Sequence, residues 1–398
     1  MISLNLPCFN SFIMKKYQGN LISKLPQTGT SIFAVMTRMA KERDAINLSQ
    51  GFPDFPIQGS LIDLVTKYMK LGYNQYAPME GVPELREIIA HKVKKTYHAT
   101  YSPEKEITIT AGATQAIYTA ISAFIKDEDE VIVFEPAYDS YAPSVKVNGG
   151  MIKYSELIYP DYHIDWEKLP QLISSRTKMI ILNSPHNPTG AVIKPEDLHK
   201  LEKLIQNRDI LILSDEVYEH IIYEGIRHES ICLYPELSAR TLIVGSFGKI
   251  FQTTGWKIGF VMAPENLMTE FRKVHQFIVF TCNSPVQYAF AEFLKDENNY
   301  KYLAEFFQAK RDYFAELIRT GRFEIIPSYG TYFQLLNYSR ITDEKDKLFA
   351  ERLVNENGIA SIPVSSFYHD QKDNKVLRFC FAKADETLEK AANILCKI

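Results

Sequence analysis

The sequence predicts an α/β protein with a mainly parallel sheet and a second, smaller α+β region. Three observations predict it. From about residue 105 to 262, short apolar runs alternate with stretches of helical spacing. The runs Val131 to Phe134, Met179 to Leu182, Ile210 to Leu213 and Leu242 to Val244 are apolar at nearly every position. Strands buried on both faces of a parallel sheet must read this way. Finally, the 398 residues exceed a typical single core, so a large domain plus a smaller one is expected.

The elements are taken in chain order. Met1 to Ile13 is mildly apolar but has no basic start, since Lys15 and Lys16 come after it, and Met14 offers a second initiation point. Residues 1–20 therefore read as an N-terminal extension rather than a signal peptide. Ile107 to Thr110 alternates as a strand, and Gly112-Ala113-Thr114-Gln115 opens a helix with Ile117, Ile121, Phe124 and Ile125 on one face. The four apolar runs supply the next strands. Phe290 to Asp312 reads as helical throughout. Phe323 to Ile326, Thr331 to Leu336 and Val376 to Phe381 read as strands at irregular spacing, and Ala384 to Ile398 as a closing helix. The expected division is residues 61–290 for the large domain, with 21–60 and 291–398 forming the small one.

Composition excludes several classes. A net charge of -3 without a basic stripe argues against nucleic acid as a partner. No apolar run approaches about 18 residues, so no membrane span is expected. The five cysteines, Cys8, Cys232, Cys282, Cys380 and Cys396, are scattered without metal-ligand spacing. They read as free thiols in a reducing, cytoplasmic setting, and no metal is expected.

The chemistry lies in residues that interrupt the apolar pattern where strands end. In doubly wound sheets, ligands bind beyond the carboxyl ends of the strands. Ala113 and Thr114 would suit a phosphate at a helix N-terminus, though a plain N-cap explains Thr114 as well. Tyr138, after the second run, could lie flat on a heteroaromatic ring or be an ordinary loop tyrosine. Asn183 to Gly190 makes a rigid turn that fixes the Asn187 amide, or merely a turn. Asp215, in Ser214-Asp215-Glu216-Val217-Tyr218, is either a helix cap or a buried carboxylate that needs a cation. A protonated pyridine nitrogen is such a cation, and Tyr218 could reach a ring hydroxyl. Lys249, in Gly245-Ser246-Phe247-Gly248-Lys249, is either a solvated loop charge or a Schiff-base lysine in a cramped, partly desolvated site. Lys257 would lower the Lys249 pKa and hold a phosphate dianion. Both demands fit pyridoxal 5'-phosphate, an aldehyde with a phosphate handle.

In this order the segments resemble the class I aminotransferases of the fold-type I pyridoxal-phosphate enzymes, over roughly residues 20 to 398. The segments Asn47 to Phe55, Asn74 to Pro78 and Ser214 to His220 are similar to those of bacterial methionine aminotransferases and the kynurenine–oxoglutarate and glutamine transaminases. The resemblance implies a seven-stranded-type sheet in the large domain. It also implies a covalent and proton-transfer role for Lys249, pyridinium pairing by Asp215, ring-oxygen contacts from Asn187 and Tyr218, and stacking by Tyr138. Ala113, Thr114, Ser246 and Lys257 would hold the phosphate, with Tyr76 reaching it from a neighbouring subunit of a homodimer. Arg378 would clamp the substrate carboxylate beside Gly51, Asn187 and Phe33, and Phe52 and Phe280 would join the pocket wall. Many relatives carry arginine at the position of Lys257, and a lysine there fits the kynurenine and methionine subgroup.

The resulting expectation is ping-pong amino transfer between a large neutral amino acid (Met, aromatic, Gln or kynurenine) and a 2-oxo acid. The rivals are a cysteine-conjugate β-lyase on the same site and a non-catalytic ligand-sensing regulator. The latter would need a DNA-binding unit for which some 20 spare residues are too few.

Overall fold

The computed structural model describes residues 14–398, so the readings made for residues 1–13, Cys8 included, lie outside the described residues. Seven strands form one sheet in the spatial order Ile107–Thr110, Gly259–Met262, Thr241–Ser246, Leu211–Asp215, Thr177–Asn183, Glu130–Glu135 and Met151–Glu156. All run the same way except Gly259–Met262, which is antiparallel to both of its neighbours. The four apolar runs became strands because their side chains are covered on both faces. Val131, Ile132, Val133, Ile212, Leu213 and Val244 have no exposed surface.

Two further strands are not among the elements expected from the sequence. Met151–Glu156 is an edge strand whose outer residues, Met151 and Glu156, face solvent. Gly259–Met262 has only four residues and comes directly after the lysine-glycine cluster. Helix Ala113–Phe124 packs Ile117 and Ile121 into the core, while Ile125 already turns extended as its C-cap.

The C-terminal part carries a second sheet, in the order Ile362–Pro363, Val376–Cys380, Phe333–Asn337 and Glu324–Ile326, antiparallel throughout. The strand expected from Thr331 begins only at Phe333, because Thr331 adopts φ 65°, outside the β region. The expectation of continuous helix from Phe290 to Asp312 is corrected. Ser284–Phe293, Asn298–Lys301 and Leu303–Ile318 are separate helices. Asp296 Oδ1 accepts the Asn298 N–H at 3.0 Å, a local side-chain bond that competes with helix continuation.

The N-terminal segment is tied to the C-terminal part, in a separate two-stranded sheet and by a bond to this second sheet. Ile46–Asn47 pairs parallel with Ile359–Ala360, and the Cys380 N–H donates to the Leu48 carbonyl at 2.8 Å. Residues 48–51 are thereby fixed alongside the strand that carries Arg378.

Three buried histidines make stability depend on pH. Burial pushes His186 and His220 down to about 3 and His275 to about 4. Their folded pKa values lie below the unfolded value, so the stability they contribute is present above about 6.5 and is lost as pH falls toward the folded values. Asp215, pushed up to about 6, opposes them, as do Glu135, Asp139 and Asp346, whose carboxyls burial also raises. The expected result is a marked fall in Tm between pH 7 and 5, with the three histidines giving up to about 4 kcal/mol per pH unit below 6.5. A pH series of thermal melts checks this, and a flat profile over that window would contradict it.

Candidate active site

The carboxyl ends of five strands meet at one edge of the sheet, around a cavity of about 180 Å³. Thr110 leads to Gly112, Ala113 and Thr114, Glu135 to Tyr138, Asn183 to Asn187, Asp215 to Tyr218, and Ser246 to Lys249. All of these residues except Thr110 and Glu135 line the cavity, as does Lys257.

One end of the cavity is built to receive an anion. Gly112 has φ 78°, and a Cβ there would meet Lys257 Nζ at 3.3 Å, so the turn needs glycine in both respects. Helix Ala113–Phe124 starts at this point, and its first N–H groups have no acceptor within the helix. The N-cap reading of Thr114 is corrected. Gly112 occupies the cap position, while Thr114 Oγ1 lies 3.3 Å from the Tyr138 hydroxyl. Ser246 closes its strand opposite Gly259, and Lys257 comes after the turn Thr254–Trp256 with φ 55°.

The opposite end holds an uncompensated carboxylate. Asp215 is 4% exposed and forms no ion pair with any described residue. Its partners are the Tyr141 hydroxyl, which donates to Oδ2 at 2.6 Å, and the Val217 N–H at 3.3 Å. Burial pushes this carboxyl up to about 6, against the Tyr141 hydrogen bond. The helix-cap reading of Asp215 is also corrected, because the strand runs into turns and not a helix. Asn183 braces the segment, donating from Nδ2 to the Asp215 carbonyl at 2.9 Å and accepting the Asn187 N–H on Oδ1 at 2.9 Å.

Lys249 lies in the short helix Phe247–Ile250, and its Nζ donates to the Gly51 carbonyl at 3.3 Å. The Nζ stands 5.7 Å from the Tyr218 ring centre and 5.6 Å from that of Tyr332. Burial brings the amine down to about 8, with Arg378 as the next cause. Lys257 lowers it as well, in the direction expected, and ranks behind Arg378.

Arg378 is 1% exposed and packs on Phe333 (3.8 Å), Phe33 (5.2 Å) and Phe367 (5.2 Å). Its Nη1 donates to Asn187 Oδ1 at 2.7 Å and its Nη2 to the Ser49 carbonyl at 3.0 Å, while Nε has no partner. With its oxygen taken by Arg378, the Asn187 amide offers its NH₂ to an acceptor in the cavity. Gly51 owes its small size to Phe333, whose ring would meet a Cβ at 2.8 Å.

A helix N-terminus with a lysine, a buried carboxylate and a lysine with a depressed pKa thus surround one small cavity. The sequence profile of the family described as Aminotransferase class I and II matches residues 43–395. The methionine aminotransferase of Escherichia coli is 44% identical over 374 residues, covering 94% of this chain and 97% of that protein. The chain belongs to the class I and II aminotransferases. A solved Escherichia coli structure described as having methionine aminotransferase function superposes on the aminotransferase with a TM-score of 0.93 at 43% identity, covering 95% of this chain and 100% of that one. Mouse kynurenine–oxoglutarate transaminase 1 is 33% identical (90% of this chain, 93% of that protein). The aspartate aminotransferase of Pyrococcus abyssi is 34% identical (89% and 92%). The fold is that of the fold-type I enzymes, and the family depends on pyridoxal 5'-phosphate.

The aminotransferase's cavity fits that cofactor. The charge of the buried Asp215 lacks a cation, the Gly112 turn and Lys257 lack an anion, and Lys249 supplies an amine between them. Ala113, Thr114, Tyr138, Asn187, Tyr218, Ser246, Lys249 and Lys257 are brought together around it. Gly51, Phe33 and Arg378 stand one layer away, joined to it through Lys249 and Asn187. Tyr76 (79% exposed) lies apart at the surface, edge-on to Phe280 at 5.0 Å, and Phe52 is likewise exposed.

Four supporting residues carry no role in the sequence reading of the site. Tyr141 and Asn183 sit in segments that the sequence singles out, and their polar ends are the signal that could have marked them as partners of Asp215. Ser49 lies in the segment Asn47 to Phe55 and Tyr332 in the strand expected from Thr331, but neither has a local signal for its partner. The Tyr332 hydroxyl donates to the Gly51 carbonyl at 2.6 Å across 281 residues of chain.

Proposed function

We propose that the aminotransferase moves an amino group between a large neutral amino acid (methionine, aromatic, glutamine or kynurenine) and a 2-oxo acid. The observation that carries this reading is the pairing of Lys249, with its amine near 8, and the buried Arg378 guanidinium tied to the cavity through Asn187. Bound in the cavity, pyridoxal phosphate supplies a carbonyl to receive the amino group and a ring to accept the electron pair left at the substrate α-carbon.

The chain's own residues do the rest. Burial lowers the Lys249 Nζ to about 8, which favours its neutral form, so it can attach the cofactor covalently and carry the proton to and from the α-carbon. Asp215 holds a proton on the ring nitrogen. Asn187 Nδ2 and the Tyr218 hydroxyl grip the ring oxygen, and Tyr138 covers the ring face. The Ala113 and Thr114 N–H groups, Ser246 and Lys257 seat the phosphate. Arg378, with three N–H bonds still unused, takes the substrate carboxylate beside Gly51 and Phe33.

The exposed Tyr76 and Phe280 support a homodimer in which Tyr76 completes the phosphate seat of the neighbouring subunit. The ties of residues 46–48 to the C-terminal part support the division into residues 61–290 and the joined 21–60 and 291–398. Free thiols at Cys232, Cys282, Cys380 and Cys396 support a cytoplasmic location.

A donor screen tests the substrate class, tracking the absorbance change as the cofactor takes up the amino group. Among the described residues Arg378 is the guanidinium tied to the cavity, through Asn187, and it is already the α-carboxylate clamp. Burying a second, unpaired carboxylate costs several kcal/mol, whereas one methylene changes discrimination by only about 1–3 kcal/mol. Methionine, phenylalanine, tyrosine, glutamine and kynurenine should therefore all react, and aspartate should have a kcat/KM at least about 100-fold lower. Aspartate matching methionine would overturn this pocket, and the relative from Pyrococcus abyssi makes that outcome a real alternative.

A further inference from the structure

A second cavity, of about 740 Å³, lies behind the cofactor seat. Its inner walls are apolar, from Phe134, Ile181, Leu182 and Tyr162. Its mouth carries both signs of charge on exposed side chains: Lys194 and Lys200 against Asp161 and Glu196. None of these four forms an ion pair with a described residue. Trp166 is fixed at the mouth by its Nε1–H bond to Asp197 Oδ1 (2.8 Å), and Lys200 Nζ is held 5.7 Å from its ring centre.

Two wall residues belong to both sites. Asn183 lines both cavities, and its amide holds the Asp215 carbonyl and the Asn187 N–H. Tyr141 lines the second cavity and donates its hydroxyl to Asp215 Oδ2. Any ligand that moves these two side chains moves the groups placed on the cofactor ring.

We propose that the second cavity is an effector site for zwitterionic aromatic amino-acid derivatives, and that its occupancy reaches the cofactor seat through Tyr141 and Asn183. The apolar walls and Trp166 accept the aromatic body. The unpaired lysines and carboxylates of the mouth can take a carboxylate and an ammonium together, which a purely anionic or cationic ligand would not do. The volume lies within the range of small-molecule pockets and exceeds that of the cofactor cavity. Coupling is reciprocal, so a bound effector alters substrate affinity by the factor by which substrate alters effector affinity.

The probe is the dipeptide L-phenylalanylglycine, too long for the α-amino-acid seat at Arg378. Calorimetric titration of the holoenzyme should show one saturable event per chain. Val192→Trp, which fills the cavity from its wall, should abolish it. Should that variant fold poorly, Lys200→Glu, at an exposed position, should weaken binding at least about threefold while leaving the melting curve unchanged. Saturating dipeptide should also shift the pH midpoint of the cofactor absorbance or change the donor KM by about fivefold or more, with kcat/KM of the two variants intact in its absence. Absence of binding, binding insensitive to both variants, binding that competes with substrate at the Arg378 seat, or binding that moves neither the absorbance midpoint nor KM would overturn the proposal. The substrate reading would survive each of these results, since the donor screen tests it separately.

Discussion

Lys249→Ala should abolish turnover, lowering kcat by roughly ten-thousand-fold or more, while leaving the cofactor seat able to bind. The expectation rests on one amine doing two tasks. Its Nζ lies inside the cavity, desolvated to a pKa of about 8, and its one hydrogen-bond acceptor is the Gly51 carbonyl. A lysine kept for stability would have a carboxylate partner, but among the described residues Lys249 forms no ion pair. Removing it should therefore leave the melting temperature of the cofactor-free protein unchanged or raised. Borohydride reduction and then peptide mapping of the wild type gives an independent check. The label should sit on Lys249, and a label on Lys257 would reassign the two lysines.

Asp215→Asn should lower kcat by several orders of magnitude without loosening the fold. In the variant the amide oxygen can take the Oδ1 place and accept from the Val217 N–H, while the NH₂ at the Oδ2 place donates to the Tyr141 hydroxyl oxygen. What asparagine cannot do is keep a proton on the ring nitrogen, so the ring loses its pull on electrons at the α-carbon. The stability effect has the opposite sign. Asp215 has a folded pKa raised above its unfolded value, so the stability it contributes is present below about 3.8 and is lost as pH rises through about 6. At pH 7 the cofactor-free wild type carries that cost, and the asparagine variant does not. Measuring kcat beside Tm at pH 7 separates the two roles: a carboxylate acting only as a structural brace would lose Tm and keep most of its rate.

The large sheet was legible because burial on both faces leaves a composition that no surface segment imitates. Ile212, Leu213, Val131 and Ile132 are covered completely, and their sequence is correspondingly free of polar residues. Met151–Glu156 and Gly259–Met262 were not, the first because an edge strand leaves only one of its six residues fully buried, the second because its short apolar run follows the lysine-glycine cluster without a separating turn signal. The polar residues at strand ends were legible as exceptions. Their alternatives could be decided only by the conformation of the chain beyond each strand, such as the turns after Asp215 that leave no helix to cap. Tyr332 and Ser49 were illegible because their roles exist only across contacts of 281 and 329 residues, which no local spacing encodes.

The reversed strand Gly259–Met262 has a geometric consequence. It pairs Ser246 with Gly259 and Gly245 with Phe260, so the chain leaves the sheet at Ser246 and returns to the same edge. The spacing between Lys249 and Lys257 is therefore gauged by main-chain hydrogen bonds, and the glycines flanking it admit no Cβ, since one at Gly245 would meet Phe260 at 2.2 Å and one at Gly259 would meet the Gly245 carbonyl at 2.7 Å. Arg378 and Phe33 lie on other elements, Val376–Cys380 and Ile32–Glu42, so their side chains are not set by that gauge. An inserted or deleted residue between 247 and 258 would therefore shift Lys249 against Lys257 while leaving the surroundings of Arg378 in place.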